Sequence, residues 1–170
     1  MSRLERQKSN LGGIIRATLF AVSDFTADWP REVDVPAGIL SIALPLKTGV
    51  TGATLTFDNG TCRVKSAMKG KIGYQNFDHE MEAKFAGFEA TQVDALKLLM
   101  NEGGVAICTY KDGKRVVVGT SYEPLGFEVA FDSGAKSDDA LQVSFKAKLE
   151  NSVAFAPPIL APTVTIPLPV

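Results

Sequence analysis

At 170 residues, with 45% hydrophobic and 22% charged side chains, the chain has the make-up of one domain with its own core. A formal net charge of −1 argues against a general nucleic-acid binder, which carries a basic excess. One histidine and two cysteines exclude a four-ligand Cys/His zinc site from a single copy unless carboxylates help.

Residues 1–11 form a polar N-terminal arm carrying Arg3, Glu5, Arg6 and Lys8. No apolar stretch of signal or membrane length follows it, so folding in a cytoplasm is expected. Arg3 and Arg6 are candidates for contact with phosphate or a neighbouring subunit, against a plain solvated tail. Gly12-Gly13 opens a domain spanning 12–150. Ile14 to Val22 (IIRATLFAV) is β-branched and apolar, the mark of a mostly buried strand. Ser23 to Pro36 reads as a loop, in which Trp29 is an interface anchor or a core residue. Ile39 to Leu46 reads as a second strand, with Pro45 at an edge or bulge. Lys47 to Gly52 is a glycine turn. Ala53–Phe57 and Thr61–Met68 flank Asp58-Asn59-Gly60, a hairpin signal. Lys69 to Gly73 reads as a further loop.

Asn76 to Ala86 alternates cleanly. Phe77, His79, Met81, Ala83 and Phe85 share one face, and Asp78, Glu80, Glu82 and Lys84 the other, as in a half-buried strand. A helix is expected over about 91–102. Thr91 and Asp94 start it, Val93, Leu96, Leu99 and Met100 form its stripe, and Gly103-Gly104 end it. Val105–Tyr110 and Val116–Thr120 flank an Asp112-Gly113 turn. Gly126–Asp132 is a strand, Ser133–Asp139 a polar loop, and Ala140–Glu150 an alternating strand with Leu141, Val143, Phe145, Ala147 and Leu149 inward. About eight strands with short connections predict a mainly β fold. It would be an antiparallel β-sandwich or half-barrel with one flanking α-helix and extended N- and C-terminal arms.

The C-terminal arm, 151–170, carries no charge and holds five of the nine prolines. Pro157, Pro158, Pro162, Pro167 and Pro169 forbid a helix or a central strand. Ile159, Leu160, Val164, Ile166, Leu168 and Val170 are costly to leave in water, at roughly 1.5–3 kcal/mol each. Such an extended apolar segment needs a surface. The reading favours a neighbouring copy over the chain's own domain, so that removing Pro157 to Val170 would leave a folded monomer that assembles poorly.

No catalytic constellation is legible. His79 lies on an apolar strand face and reads as a hydrogen-bonded core or interface histidine before a general base. No Ser-His-Asp or Cys-His pattern accompanies it. Cys62 and Cys108 read as reduced core thiols. Asp78, Glu80 and Glu82 read as a solvated strand face, with acid/base carboxylates, a metal clamp and an anion-repelling surface as alternatives. Asp132, Asp138 and Asp139 match no EF-hand spacing, and no glycine cluster forms a phosphate loop. No cofactor, metal or catalytic residue is therefore assigned.

Several stretches resemble the tail-tube-like structural proteins of tailed bacteriophages, in particular a group met in phages and prophages of Bacteroidetes. They are Gly12-Gly13 leading into IIRATLFAV, the strand FDHEMEAKFA, the helix end LLMNEGG, the hairpin VAICTYKDGKRVVVGT, then EPLGFEVAFDSG and DDALQVSFKA. Together they run over residues 11–156. The resemblance implies a β-sandwich or half-barrel with one helix. It further implies a homohexameric ring, rings stacked into a tube, and double-stranded DNA passing through without specific binding. Partners would be other copies and other tail proteins, with no membrane, in the tail of a virion assembled in the host cytoplasm. Arms and a long hairpin loop would touch rings above and below, with Lys47–Gly52 and the turn around Asn59 as loop candidates. Arg3, Arg6 and the apolar residues of 157–170 would serve as interface, and Asp78, Glu80 and Glu82 as a lumen lining. Pro157 to Val170 is extra to that group, so its role is not carried over. A head–tail connector or capsid-decorating protein is the alternative, and a β-barrel holding a small apolar ligand is a second.

Overall fold

The computed structural model describes residues 13–55, 60–86, 90–132, 142–152 and 156–169. Two sheets and one helix make up the body. The first sheet contains β1 (Ile14–Ala21), β2 (Ile39–Leu40), β3 (Ala53–Leu55), β6 (Gly104–Tyr110), β7 (Arg115–Val118) and β10 (Ile159–Leu160). Their spatial order is β2-β10-β7-β6-β1-β3. The second contains β4 (Arg63–Lys71), β5 (Tyr74–Ala86), β8 (Gly126–Asp132) and β9 (Gln142–Ser152), in the order β4-β5-β9-β8. All pairings are antiparallel except β10 with β2. The expected mainly β sandwich with one helix is what forms.

Two cores explain the apolar runs. Between the sheets, Ala17, Leu19, Ala106, Cys108 and Val118 meet Met81, Ala83, Val143, Phe145 and Ala147. On the far side of the first sheet, Phe20, Val105, Ile107 and Val117 meet Phe25, Trp29, Leu40, Leu160 and Val164. Successive residues of β1 and β6 are therefore buried on alternate faces, which makes their sequences continuously apolar instead of alternating. The second sheet is covered on one face only, so β5 and β9 alternate.

The helix α1 (Ala90–Glu102) ends where expected. Gly103 takes φ 73° and its N–H bonds the Leu99 carbonyl at 2.8 Å. Leu96 and Leu99 are buried, but Met100 is half exposed and so lies off the inward stripe, and Thr91 lies inside the helix rather than capping it. The β6–β7 hairpin closes through Gly113, as predicted, and the Lys114 N–H bonds the Asp112 carboxylate at 3.0 Å.

Three local expectations fail for reasons of pairing. Only Ile39–Leu40 of the expected 39–46 strand is extended in a ladder, because its one partner, β10, is two residues long. The segments around Asn59 do not form one hairpin, since β3 belongs to the first sheet and β4 to the second; Asp58 and Asn59 lie outside the described residues. Lys69-Gly70-Lys71 is strand, not loop: it pairs with Asn76, Gln75 and Tyr74, and the turn sits at Ile72-Gly73. A Cβ on Gly70, at φ 107°, would collide with the Tyr74 carbonyl, so this tight end of the hairpin depends on glycine.

The C-terminal arm is the largest departure. Residues 156–169 lie on the chain's own first sheet. β10 inserts between β2 and β7, Leu160 and Val164 are buried, and Arg115 donates to the carbonyls of Ala161 and Val164, the latter at 2.8 Å. Backbone bonds join Val117 to Pro158 and Ala161 to Leu40, at 3.0 and 2.8 Å. Proline is tolerated because only Ile159 and Leu160 enter the ladder. The described part of the arm is a strap over its own domain, so its removal would uncover Phe20, Val105, Ile107 and Val117.

Leu160→Ala should therefore cost about 2–5 kcal/mol in urea unfolding, whereas Ile159→Ala, on a half-exposed neighbour, should change stability by no more than about 0.5 kcal/mol. Equal effects from the two would contradict the strap.

Candidate assembly surfaces

On β5 the acidic row does not stand alone. Cross-strand register sets Arg63 against Glu82 and Lys65 against Glu80 on one side, and Lys148 against Glu80 and Lys146 against Glu82 on the other. Beyond β9, Glu128 faces Lys146. The solvent face of the second sheet thus alternates by strand: basic β4, acidic β5, basic β9, acidic β8. Arg63 and Lys146 each approach Glu82 to 4.0 Å, and Lys69 pairs with Asp78. The Asp78 carboxylate holds the Lys69 ammonium above the usual lysine range through its hydrogen bond and charge. Asp78, Glu80 and Glu82 are all half-buried among these cations. The row is thus part of a balanced, striped face, since opposite charges favour facing positions across a ladder.

The two sheets differ at their edges. The first ends in β2 and β3, of two and three residues. The second ends in β4 and β8, of nine and seven residues, which are its terminal strands among the described residues, and α1 packs against β8. Long open edges are templates for a further strand. The β4–β5 hairpin adds an apolar tip. Ile72 is 96% exposed, Tyr74 85% and Met68 56%. Sequence reading placed the long hairpin loop at Lys47–Gly52 or near Asn59. Gly52 instead packs under Thr18 and Phe20 and bonds the Pro167 carbonyl at 3.0 Å. Exposed apolar residues around Ile72-Gly73 were the available signal.

Among the other interface candidates, Pro158, Leu160 and Val164 are buried in the strap, Pro157 and Ile166 are half-buried, and Ile159 and Leu168 stay exposed. Arg3, Arg6 and Val170 lie outside the described residues. Trp29 is a core residue, stacked on Phe25 at 5.8 Å between ring centres. It also lines a surface cavity of about 340 Å³ with Ala27, Asp28, Arg31, Asp34, Ile42, Ala43 and Pro45. Its indole N–H is buried with no acceptor, an arrangement that costs roughly 1–3 kcal/mol. The Arg31 guanidinium binds Asp34 through two nitrogens, at 2.9 and 3.0 Å, and holds that carboxyl below the usual range.

Reactive groups are placed as structural ones. His79 is buried, bonds the Ser66 hydroxyl at 2.9 Å through Nδ1 and stacks on Phe77. Burial pushes its pKa down, against the charges of Asp78 and Glu123. Cys62 and Cys108 are free buried thiols. Burial lifts Cys62 to about 12 and Cys108 higher still, so neither offers a thiolate. Among the described residues no group of His, Cys, Asp and Glu is arranged to hold a metal ion, and no described helix is long and apolar enough to cross a membrane. The inward sets interlock, and the void beside His79 measures about 10 Å³, room for one water at most. No protein-family model, curated protein or solved structure matches this chain.

A lowered folded-state pKa means that His79 is bound neutral. Its contribution to stability is complete above the ordinary histidine value of about 6.5 and is lost as pH falls below it, because the unfolded chain takes up the proton first. Melting temperature should fall between pH 7 and pH 5 for the wild type, and this step should vanish in His79→Gln, as followed by circular dichroism.

Proposed function

We propose that this chain is a self-assembling structural subunit, a tail tube protein of a bacteriophage virion. Its copies would join into rings, hexameric by the resemblance, which stack into a conduit for DNA. The observation that carries the reading is the second sheet: two long terminal strands whose charge order would continue from one copy to the next. β8 is acidic on its solvent face, through Glu128 and Asp132, and β4 is basic, through Arg63, Lys65, Lys69 and Lys71. Strand direction alternates β4, β5, β9, β8, so β8 of one copy meets β4 of the next in antiparallel sense. Each contact is head-to-tail, uses two different edges and repeats, which closes a ring where the rotation closes and winds a helix where it does not. Pairing also removes the exposed-edge hazard.

The striped face fits a conduit. Phosphates passing over alternating columns meet little net charge, so they are neither captured nor strongly repelled. The chain then acts by assembly and needs neither cofactor nor catalytic group. Neighbours in the virion would be further tail proteins. The interlocked core between the sheets gives a small-ligand barrel no support.

Purified protein in negative stain should show rings or tubes with a central channel. Glu128→Lys sets like charge against both Lys146 and the incoming basic strand. It should reduce assembly in sedimentation velocity while its melting temperature stays near that of the wild type. A protein that remains monomeric at high concentration would defeat the reading.

A further inference from the structure

The first sheet has two unlike ends. β1 and β7 both run antiparallel to β6, and so run parallel to each other. At the end where they begin, the Gly13 carbonyl accepts from the Lys111 N–H at 3.1 Å, and the N-terminal arm enters there. At the end where they stop, Ser121 follows soon after β7 and holds Trp29 by two bonds of 2.8 Å. One runs from its N–H to the Trp29 carbonyl, the other from the Trp29 N–H to its hydroxyl. The length of β1, roughly 25 Å, separates the two ends.

Their charges are opposite. Near Gly13, Arg16, Lys111, Lys114 and Arg115 stand against Asp112. The arm itself, residues 1–11, carries Arg3, Arg6 and Lys8 against Glu5. At the far end, the stretch from Ser23 to Lys47 carries Asp24, Asp28, Glu32 and Asp34 against Arg31 and Lys47. The Glu102 carboxylate joins that end by accepting from the Ser23 N–H at 3.3 Å. We propose that the N-terminal arm of one copy docks in the Trp29 cavity of a second copy, so that copies join end to end along β1. This rests on the assembly reading above, and names the segment and the site of a contact that the second sheet does not make.

Reach favours a second copy over the arm's own. Leu4 lies nine residues before Gly13, at most about 32 Å of extended chain. Folding back over the whole of β1 would use nearly all of that length, whereas a copy placed end to end sets its cavity against the Gly13 end. The chemistry of the cavity suits the arm. Ala27, Ile42, Ala43 and Pro45 give it apolar walls and Asp28 a carboxylate, in about 340 Å³. Glu32 is exposed beside the lining residue Arg31. Bound extended, the arm turns Leu4 and Arg6 to one side. Leu4 fills the apolar part, Arg6 meets Asp28, and Arg3 comes within reach of Glu32. The Arg31 guanidinium repels them little, because two of its nitrogens already bind Asp34, at 2.9 and 3.0 Å. Opposite potentials at the two ends also set the direction, since like ends repel.

The experiment uses two full-length charge reversals, Arg3→Glu with Arg6→Glu, and Asp28→Lys with Glu32→Lys. Asp28 and Glu32 are exposed, so melting temperatures should stay near that of the wild type. Alone, each reversal sets like charge against like and should associate at least about tenfold more weakly than the wild type in sedimentation velocity. Mixed in equal amounts, each arm meets a cavity of opposite charge, and association should return toward the wild-type level. Undiminished association of either reversal alone overturns the docking and leaves the subunit reading standing. A mixture that associates no better than its parts does the same, because it means that the arm binds its own copy or another surface. Wild type that stays monomeric throughout overturns both.

Discussion

Burial of the first sheet on both faces is the constraint from which the rest follows. β1, β6 and β7 send Phe20, Val105, Ile107 and Val117 away from the second sheet, and those side chains need a cover. The chain provides it from two distant places, the loop carrying Phe25 and Trp29 and the strap carrying Leu160 and Val164. Arg115 fixes the strap by binding its carbonyl oxygens, which an arm of prolines leaves without ladder partners. The uncharged C-terminus is thus part of the fold, and its apolar residues are largely spent there.

The second sheet is built on the opposite plan. One face is core and the other is water-facing charge, arranged in columns that neutralise each other across strands. A face of this kind adds little stability pair by pair, since exposed ion pairs are weak. The molecule thus has one sheet buried on both faces and one with a charged, water-facing side. His79, Cys62 and Cys108, the side chains with the most reactive potential, are all buried in packing roles.

Much of the local structure was legible. Gly126–Asp132 is a strand over the expected residues, Asp112-Gly113 turns a hairpin, and Gly103 stops the helix, because φ preference and period-two alternation act over a few residues. The β4–β5 hairpin was not legible. Lys69-Gly70-Lys71 has the composition of a loop, and only pairing with Tyr74, Gln75 and Asn76 makes it strand. The acidic row was visible but its balancing cations were not, since they come from β4 and β9, the latter more than sixty residues away in sequence.

The sequence by itself determined which residues must leave water and where the chain must turn. The apolar, proline-rich arm had to lie on some surface, and the alternating strands had to have one wet face. Only the tertiary structure decided which surface the arm covers and what charge that wet face carries. Periodicity and turn chemistry are short-range, so they are written locally. The partner of an apolar segment or of a carboxylate row is set by long-range strand order, where elements such as β2, β7 and β10 meet although 74 and 40 residues separate them.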